Sequence, residues 1–154
     1  MRLIAGLSLG LRGERSLAGP TSTRRSTAIR GRKVNHIPDA IELLEPMFAG
    51  QTIEQFRALL LGKNGDVLDM VTASGTHEGV ELPVRAVFAR ALRCDARGLI
   101  IAHNHPSGDP SPSKADLSVT RHVATVATSL GLSVLDHLIF GHERFKSFRN
   151  DGLL

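Results

Sequence analysis

The sequence predicts an α/β fold with a mixed central sheet, for three reasons. Amphipathic segments with helical spacing, which begin at Pro83 and Ser113, alternate with apolar runs of strand length over 98–105 and 132–140. A tight-turn sequence over 63–65, Lys-Asn-Gly, joins two further strand-like segments as an antiparallel hairpin. The length of 154 residues, with 42% hydrophobic and 22% charged residues, is typical of one globular domain.

The first half of the chain predicts a short helix and then the hairpin. Asp39 is a candidate N-cap for this helix, and Pro46 or Gly50 is expected to end it. Alternation over 53–61 predicts a strand that places Glu54 on the same face as its apolar residues. Residues 67–72 form the returning strand, and 74–82 form a loop.

The second half predicts two crossover helices between strands. The helix after Pro83 carries apolar residues at helical spacing and leads into the buried strand 98–105. The helix that begins at Ser113 ends at Gly131. Its expected buried stripe consists of Ala115, Val119, Val123, Val126 or Ala127, and Leu130. Strand 132–140 follows, and a final turn with a short strand completes the chain.

The charge distribution separates a basic flexible arm, residues 1–36, from a folded domain over 37–154. The arm holds eight Lys and Arg against the single acid Glu14, which is +7 and leaves −3 for the domain out of the chain's net +4. Weak nonspecific nucleic-acid contact is therefore expected from the arm alone. Cys94 is the single cysteine, so no intramolecular disulfide forms, as suits a cytoplasmic protein. No apolar run has the length of a membrane helix, and no membrane partner is expected.

The segment 103–116 has the ligand spacing of a hydrolytic metal site. His103 and His105 are two residues apart at the end of a predicted strand, so both side chains point to one side of the sheet. Asp116 lies in the first turn of the next helix and completes a set of two imidazoles and one carboxylate. Three protein ligands leave the fourth zinc position open for water, as in catalytic sites. The sequence therefore predicts one Zn²⁺ per chain, although iron, cobalt or manganese suit the same ligands.

Hydrolysis at such a site needs a base and a donor for the developing oxyanion. Glu54 is the candidate base, with Glu78 and Glu81 as competitors that spacing does not exclude. Ser113 is the candidate donor, one helical turn before Asp116. Ser113 and Asp116 also match a helix capping box, a structural role compatible with both functional ones.

The spacing His-x-His, seven residues, Ser, two residues, Asp resembles the JAMM signature of the MPN/JAB metalloproteases. The wording of residues 103–110, His-Asn-His-Pro-Ser-Gly-Asp-Pro, is similar to the RadC branch. Glu54-Gln55-Phe56 and the segment 135–139, Leu-Asp-His-Leu-Ile, also resemble that branch, so the likeness spans about 38–154.

The resemblance implies an α-β-α sandwich related to the cytidine deaminases. It also implies a zinc-dependent peptidase or isopeptidase, with His103, His105 and Asp116 as ligands, Glu54 as general base and Ser113 supporting the tetrahedral intermediate. Family members usually carry a longer helical N-terminal region where this chain has its basic arm.

Three other interpretations are compatible with parts of the sequence. A DNA-associated repair factor or nucleic-acid-binding module of the RadC type is the main alternative, although the chain has no Trp or Tyr for base stacking. A catalytically silent scaffold is a second, but such domains generally lack the ligands. His137, in an apolar strand, is interpreted as a core histidine or as a residue that supports a ligand, rather than as a fourth ligand.

Overall fold

The computed structural model describes residues 28–75 and 81–154. Each helix and strand predicted from the sequence is present. In chain order they are α1 (Ile37–Phe48), β1 (Gln55–Leu61), β2 (Val67–Ser74), α2 (Val84–Arg93), β3 (Gly98–Asn104), α3 (Lys114–Ser129), β4 (Ser133–Phe140) and β5 (Phe145–Ser147). Residues 1–27 of the predicted arm, and Glu78 in the loop before α2, lie outside the described residues.

The five strands form one mixed sheet in the order β2-β1-β3-β4-β5. The pair β3 and β4 is parallel, with α3 as the crossover, whereas the other neighbouring pairs are antiparallel. Phe56 lies opposite His103 where β1 begins and β3 ends. This register brings the residues just before β1 close to the residues that follow β3.

Both faces of the sheet are covered, which confirms the predicted α-β-α sandwich. On one face Phe56, Ala58 and Leu60 of β1 pack in a cluster with α2 and α3. On the other face Leu59 and Leu61 pack with α1. Period-two alternation along β1 therefore supplies both cores from one strand.

Helix α1 differs from the prediction at its N-terminus, whereas its C-terminus agrees with Gly50, one of the two predicted ends, which follows the C-cap Ala49 with a φ of 71°. Its N-cap is His36, and Asp39 lies at the third helical position, where its carboxylate accepts the backbone N–H groups of Asn35 and His36 at 2.8 and 3.0 Å. The helix also continues through Pro46 to Phe48. Pro46 and Glu42, four residues earlier, are both exposed, so solvent can satisfy the carbonyl that lacks its helical donor.

The buried stripe of α3 agrees with the predicted one at Val123 and Ala127 and differs from it at both ends. Its buried residues are Asp116, Thr120, Val123 and Ala127, whereas Ala115 and Leu130 are exposed. The prediction followed the apolar residues, but two polar residues occupy the buried positions at the N-terminal end. These two polar positions face the candidate site.

Residues 28–36, which the charge pattern assigned to the arm, pack against the sheet. Ile29 and Val34 are 4% and 7% exposed and belong to the same hydrophobic cluster as α1. Arg30 forms an ion pair with Asp69 at 3.0 Å, and Lys33 forms one with Asp66 at 3.0 Å. The packed unit thus includes residues from 28 onward.

None of the helices within 28–75 and 81–154 has the length and apolarity needed to cross a bilayer.

Candidate metal centre

Four side chains from three separate elements converge at one edge of the sheet. Glu54 precedes β1, and Asp116 lies in the first turn of α3. His103 lies near the end of β3, and His105 directly follows that strand. One potential ligand atom from each residue lies within 4.8 Å of the other three. The structure therefore brings together the predicted ligands and the predicted base.

The distances among the three predicted ligands suit a tetrahedral zinc ion. His103 Nε2 lies 3.0 Å from His105 Nε2 and 3.2 Å from Asp116 Oδ1, and His105 Nε2 lies 3.5 Å from Asp116 Oδ2. With ligand bonds of about 2.0–2.1 Å, neighbouring ligand atoms of a tetrahedral site are about 3.3 Å apart. The donor set fits a divalent cation such as zinc in chemistry and in spacing.

Asp116 is both a helix-capping residue and a member of the cluster. Its Oδ2 accepts hydrogen bonds from the backbone N–H and the hydroxyl of Ser113, each at 2.7 Å, while Ser113 Oγ accepts the Asp116 N–H at 3.1 Å. This reciprocal capping box fixes the carboxylate at the start of α3. Because Ser113 occupies Oδ2, Oδ1 is the oxygen left to face His103. The capping and metal-binding interpretations of these residues are therefore compatible.

His105 is oriented by the loop that follows it. Its backbone N–H donates to the Phe140 carbonyl at 2.9 Å, and its Nδ1 lies 2.8 Å from the carbonyl oxygen of Asp109. A carbonyl only accepts, so Nδ1 carries a hydrogen and Nε2 is left for the cluster. The side-chain hydrogen bond to Asp116 raises the pKa of His105 above its usual 6.5, against the opposing effect of partial burial.

A buried chain of hydrogen bonds determines the orientation of His103. His103 Nδ1 lies 2.8 Å from His137 Nε2, His137 Nδ1 lies 2.6 Å from Thr120 Oγ1, and Thr120 donates to the backbone carbonyl of Asp116 at 2.5 Å. The threonine hydroxyl has one hydrogen, which the carbonyl takes, so its oxygen must accept from His137 Nδ1. Burial lowers the pKa of His137 to about 3, with the His103 charge acting in the same direction.

These constraints assign the hydrogens throughout the chain of hydrogen bonds. A neutral His137 protonated at Nδ1 has an accepting Nε2, so His103 must donate from its Nδ1. Neutral His103 then presents the lone pair of Nε2 to the cluster, as a metal ligand requires. The structure thus places His137 as a residue that supports His103. The buried polar Thr120 was missed from the sequence, where the only available signal was its spacing of four residues from Asp116.

The electrostatics of the cluster favour a carboxylate beside two imidazoles. Burial by itself raises the pKa of Asp116, but hydrogen bonds with His103, His105 and Ser113 together outweigh it and hold the pKa well below its usual value. Asp116 is therefore ionised at neutral pH and carries the negative charge that a divalent cation needs.

Glu54 differs from the other three residues in its surroundings. Its side chain is 26% exposed, and Oε1 lies 3.8 Å from His103 Nε2, farther than the distances among the predicted ligands. A carboxylate at the rim, next to the three ligands, is placed to accept a proton from water at the open position. Its competitor Glu81 is exposed and is not part of the four-residue cluster.

A cleft of about 360 Å³ lies beside the cluster. Asn104, His105 and Pro106 form part of its wall, and Phe48 and Phe140 give it an apolar portion. Clefts with mixed linings next to reactive groups are typical of substrate sites.

Comparison with known proteins identifies the family. A RadC-like JAB domain matches residues 34–153, which is most of the chain and includes the whole four-residue cluster. The chain belongs to this family. This RadC-like JAB domain is also 40% identical over 153 residues to a UPF0758 protein of Symbiobacterium thermophilum, an alignment that covers 99% of the chain and 61% of that relative.

Two further relatives are similar over a shorter segment. A UPF0758 protein of Rhodobacter capsulatus is 48% identical and one of Ruegeria pomeroyi 43% identical, each over 107 residues and 69% of the chain. These alignments cover 50% and 48% of the two relatives. The chain thus spans about half to three-fifths of the length of the curated relatives it matches.

Proposed function

We propose that this RadC-like JAB domain is a zinc-dependent hydrolase of amide bonds, acting on a peptide or an isopeptide. The observation that carries the proposal is the near-tetrahedral spacing of His103, His105 and Asp116, with the Glu54 carboxylate at their rim. His103, His105 and Asp116 would hold the ion. When bound, zinc acts as a Lewis acid that lowers the pKa of water to about 7 and polarises a carbonyl group.

Four other side chains have separate roles in the proposed reaction. Glu54 accepts the proton of the attacking water and later delivers it to the leaving amine. His137 and Thr120 keep His103 in the tautomer that presents Nε2. The exposed Ser113 hydroxyl, which donates to Asp116 in this structure, supports the oxyanion of the tetrahedral intermediate once it rotates toward the substrate. The cleft beside His105 receives the substrate chain.

The test separates metal binding from turnover. The wild-type protein is expected to bind one Zn²⁺, Asp116→Ala to bind none, and Glu54→Gln to bind one without hydrolysis. Metal content is measured by mass spectrometry after dialysis, and turnover with a library of fluorogenic peptides and lysine-linked isopeptides. Glu81→Gln is the matched control, because it removes an exposed carboxylate outside the cluster. A wild-type chain that takes up no divalent metal would refute the proposal.

The repair-factor alternative receives no specific support from the described residues. Its electrostatic argument depended on the basic arm, of which 1–27 lie outside the described residues. Arg30 and Lys33, at the described end of the arm, are paired with Asp69 and Asp66. Salt-dependent DNA binding of the full chain, compared with a chain that begins at residue 28, tests whether the arm makes phosphate contacts.

A further inference from the structure

Asn104 is buried between the two histidines and bonds to a different part of the chain. It is the last residue of β3 and is 4% exposed. Its side-chain Oδ1 accepts the backbone N–H of Gln55 at 2.8 Å, and its Nδ2 donates to the carbonyl of Ile53 at 3.2 Å. Neither bond involves a predicted metal ligand.

The two bonds secure both peptide groups that flank Glu54. The Ile53 carbonyl belongs to the peptide before Glu54, and the Gln55 N–H belongs to the peptide after it. A third bond, from the Gly75 N–H to the Glu54 carbonyl at 2.9 Å, completes the set. Glu54 lies outside β1, and the β1–β3 register ends at Phe56 and His103. Residues beyond a ladder fray unless other groups bond them.

We propose that Asn104 is the positioning residue for Glu54, with its side-chain amide holding the Glu54 backbone against the end of β3. The inference rests on the proposed function, because it assigns Asn104 a purpose only if Glu54 acts as the base. In this proposal the three consecutive residues have different roles. His103 and His105 would hold the ion, and Asn104 positions Glu54 next to it.

The chemistry of the amide explains why this position suits asparagine. The two bonds require one acceptor and one donor at the same distance from the backbone, which a carboxylate or a hydroxyl group does not supply in this geometry. Aspartate would keep the bond to the Gln55 N–H and lose the bond to Ile53. Glutamine would move both groups outward by one methylene.

The first experiment measures amide hydrogen exchange in the metal-free full chain. The readout is the exchange rate of the Gln55 amide divided by that of Leu59, in the middle of β1. Faster global unfolding speeds Leu59 at least as much as Gln55, so only local opening raises the ratio. Asn104→Ala is expected to raise this ratio at least tenfold, and Asn104→Asp to leave it within about threefold of wild type. Val67→Ala is the control, because it truncates a buried residue where β2 begins and should destabilise the fold without raising the ratio. The fold should tolerate Asn104→Ala, since Ile53 and Gln55 are partly exposed and water can replace the lost bonds.

The second experiment measures the effect of Glu54 on the metal centre by visible absorption, with cobalt(II) in place of zinc. Cobalt stoichiometry is expected to stay at one in Asn104→Ala, because the ligands are untouched. The pH midpoint of the cobalt absorption change is expected to move in Glu54→Gln, and Asn104→Ala should move it in the same direction by at least half as much. Val67→Ala should titrate like wild type.

The outcomes separate this inference from the proposed function. An unchanged Gln55 to Leu59 ratio in Asn104→Ala, or a wild-type cobalt midpoint in Asn104→Ala while Glu54→Gln is shifted, would overturn the positioning role. Failure of the wild-type chain to bind cobalt or zinc would instead refute the proposed function, and the exchange ratio would still decide whether Asn104 holds the Glu54 backbone.

Discussion

His103 Nδ1 and His137 Nε2 lie 2.8 Å apart inside the protein, and this contact decides which nitrogen of His103 faces the metal centre. Both side chains are fully buried, and Phe148 stacks on the His137 ring with the centroids 4.6 Å apart. Because Thr120 fixes the hydrogen of His137 on Nδ1, the contact has one compatible arrangement of hydrogens. His103 therefore already has the tautomer that a metal ligand needs, and no free energy is spent on a tautomer change when the ion binds.

Replacing His137 is therefore expected to weaken metal binding without removing a ligand. In His137→Leu the Nδ1–H group of His103 loses its acceptor, and the zinc dissociation constant should rise 10- to 100-fold. Competition with a chromophoric chelator measures the constant, and ¹⁵N NMR of the His103 ring reports its tautomer. Phe148→Leu is the control, because it alters the packing around His137 and leaves the hydrogen bonds in place. Equal losses of affinity in the two variants would show that packing, and not the hydrogen bond, is responsible.

Ser113 and Asp116 allow helix capping to be separated from metal binding. Ser113→Ala removes the hydroxyl that accepts the Asp116 N–H, and the free energy of unfolding should fall by about 1 kcal/mol. Metal stoichiometry should stay at one, because Oδ1 of Asp116 remains available. Asp116→Ala should lower the stability of the metal-free protein and also abolish metal binding. Urea denaturation with and without zinc measures both effects.

The control for the capping prediction lies at the other end of the same helix. Ser129→Ala removes an exposed hydroxyl that donates to the Thr125 carbonyl, and its effect on stability should be within about 0.5 kcal/mol of zero. Loss of zinc from Ser113→Ala would contradict the assignment, since it would mean that Ser113 is needed to hold the carboxylate or the ion itself.

Much of this site could be predicted from the sequence because its signals are local. His103 and His105 share a face through strand alternation, and Ser113 with Asp116 forms a capping box at fixed spacing. The spacing of the three ligands, two histidines and one aspartate, then indicated the ion. Glu54 was harder to assign, because its approach to the histidines depends on the pairing of Phe56 with His103 across two strands.

The sequence did not reveal features that depend on buried polar groups. The predicted apolar stripe of α3 is buried at Val123 and Ala127, but Ala115 and Leu130 at its ends are exposed. Asp116 and Thr120 are buried at the N-terminal end instead. Hydrogen bonds offset the cost of burying these two polar groups. Asp116 bonds with Ser113, the N-cap of the helix, and Thr120 bonds with His137 in β4. Hydrophobic periodicity carries no signal for such positions.

Metal affinity is expected to depend on pH through His105. Hydrogen bonding to Asp116 raises the pKa of His105, so the metal-free protein holds a proton on this imidazole to a higher pH than an unperturbed histidine does. Zinc requires the neutral ring, and binding must release that proton. Below the raised pKa the zinc dissociation constant should therefore increase about tenfold for each unit by which the pH falls.

Calorimetry in two buffers with different ionisation enthalpies counts the protons released. About one proton per ion is expected from His105 on the acidic side of its pKa. His137 does not contribute above pH 5, because burial keeps its pKa near 3. Zinc binding that releases no proton on the acidic side of the His105 pKa would contradict the assignment of His105 as the protonated ligand.

The contribution of residues 28–36 to stability can be tested by two truncations. A chain that begins at residue 28 retains the buried side chains of Ile29 and Val34, whereas a chain that begins at residue 37 loses both together with the Arg30–Asp69 ion pair. Burying two such aliphatic side chains contributes about 3–5 kcal/mol. Asp69 is itself buried and forms ion pairs with both Arg30 and Arg90, so the shorter chain would keep the Arg90 pair and lose the Arg30 pair. The chain that begins at residue 37 should therefore be less stable than the chain that begins at residue 28 by several kcal/mol in urea denaturation. Equal stability of the two truncated chains would show that the domain is complete from residue 37.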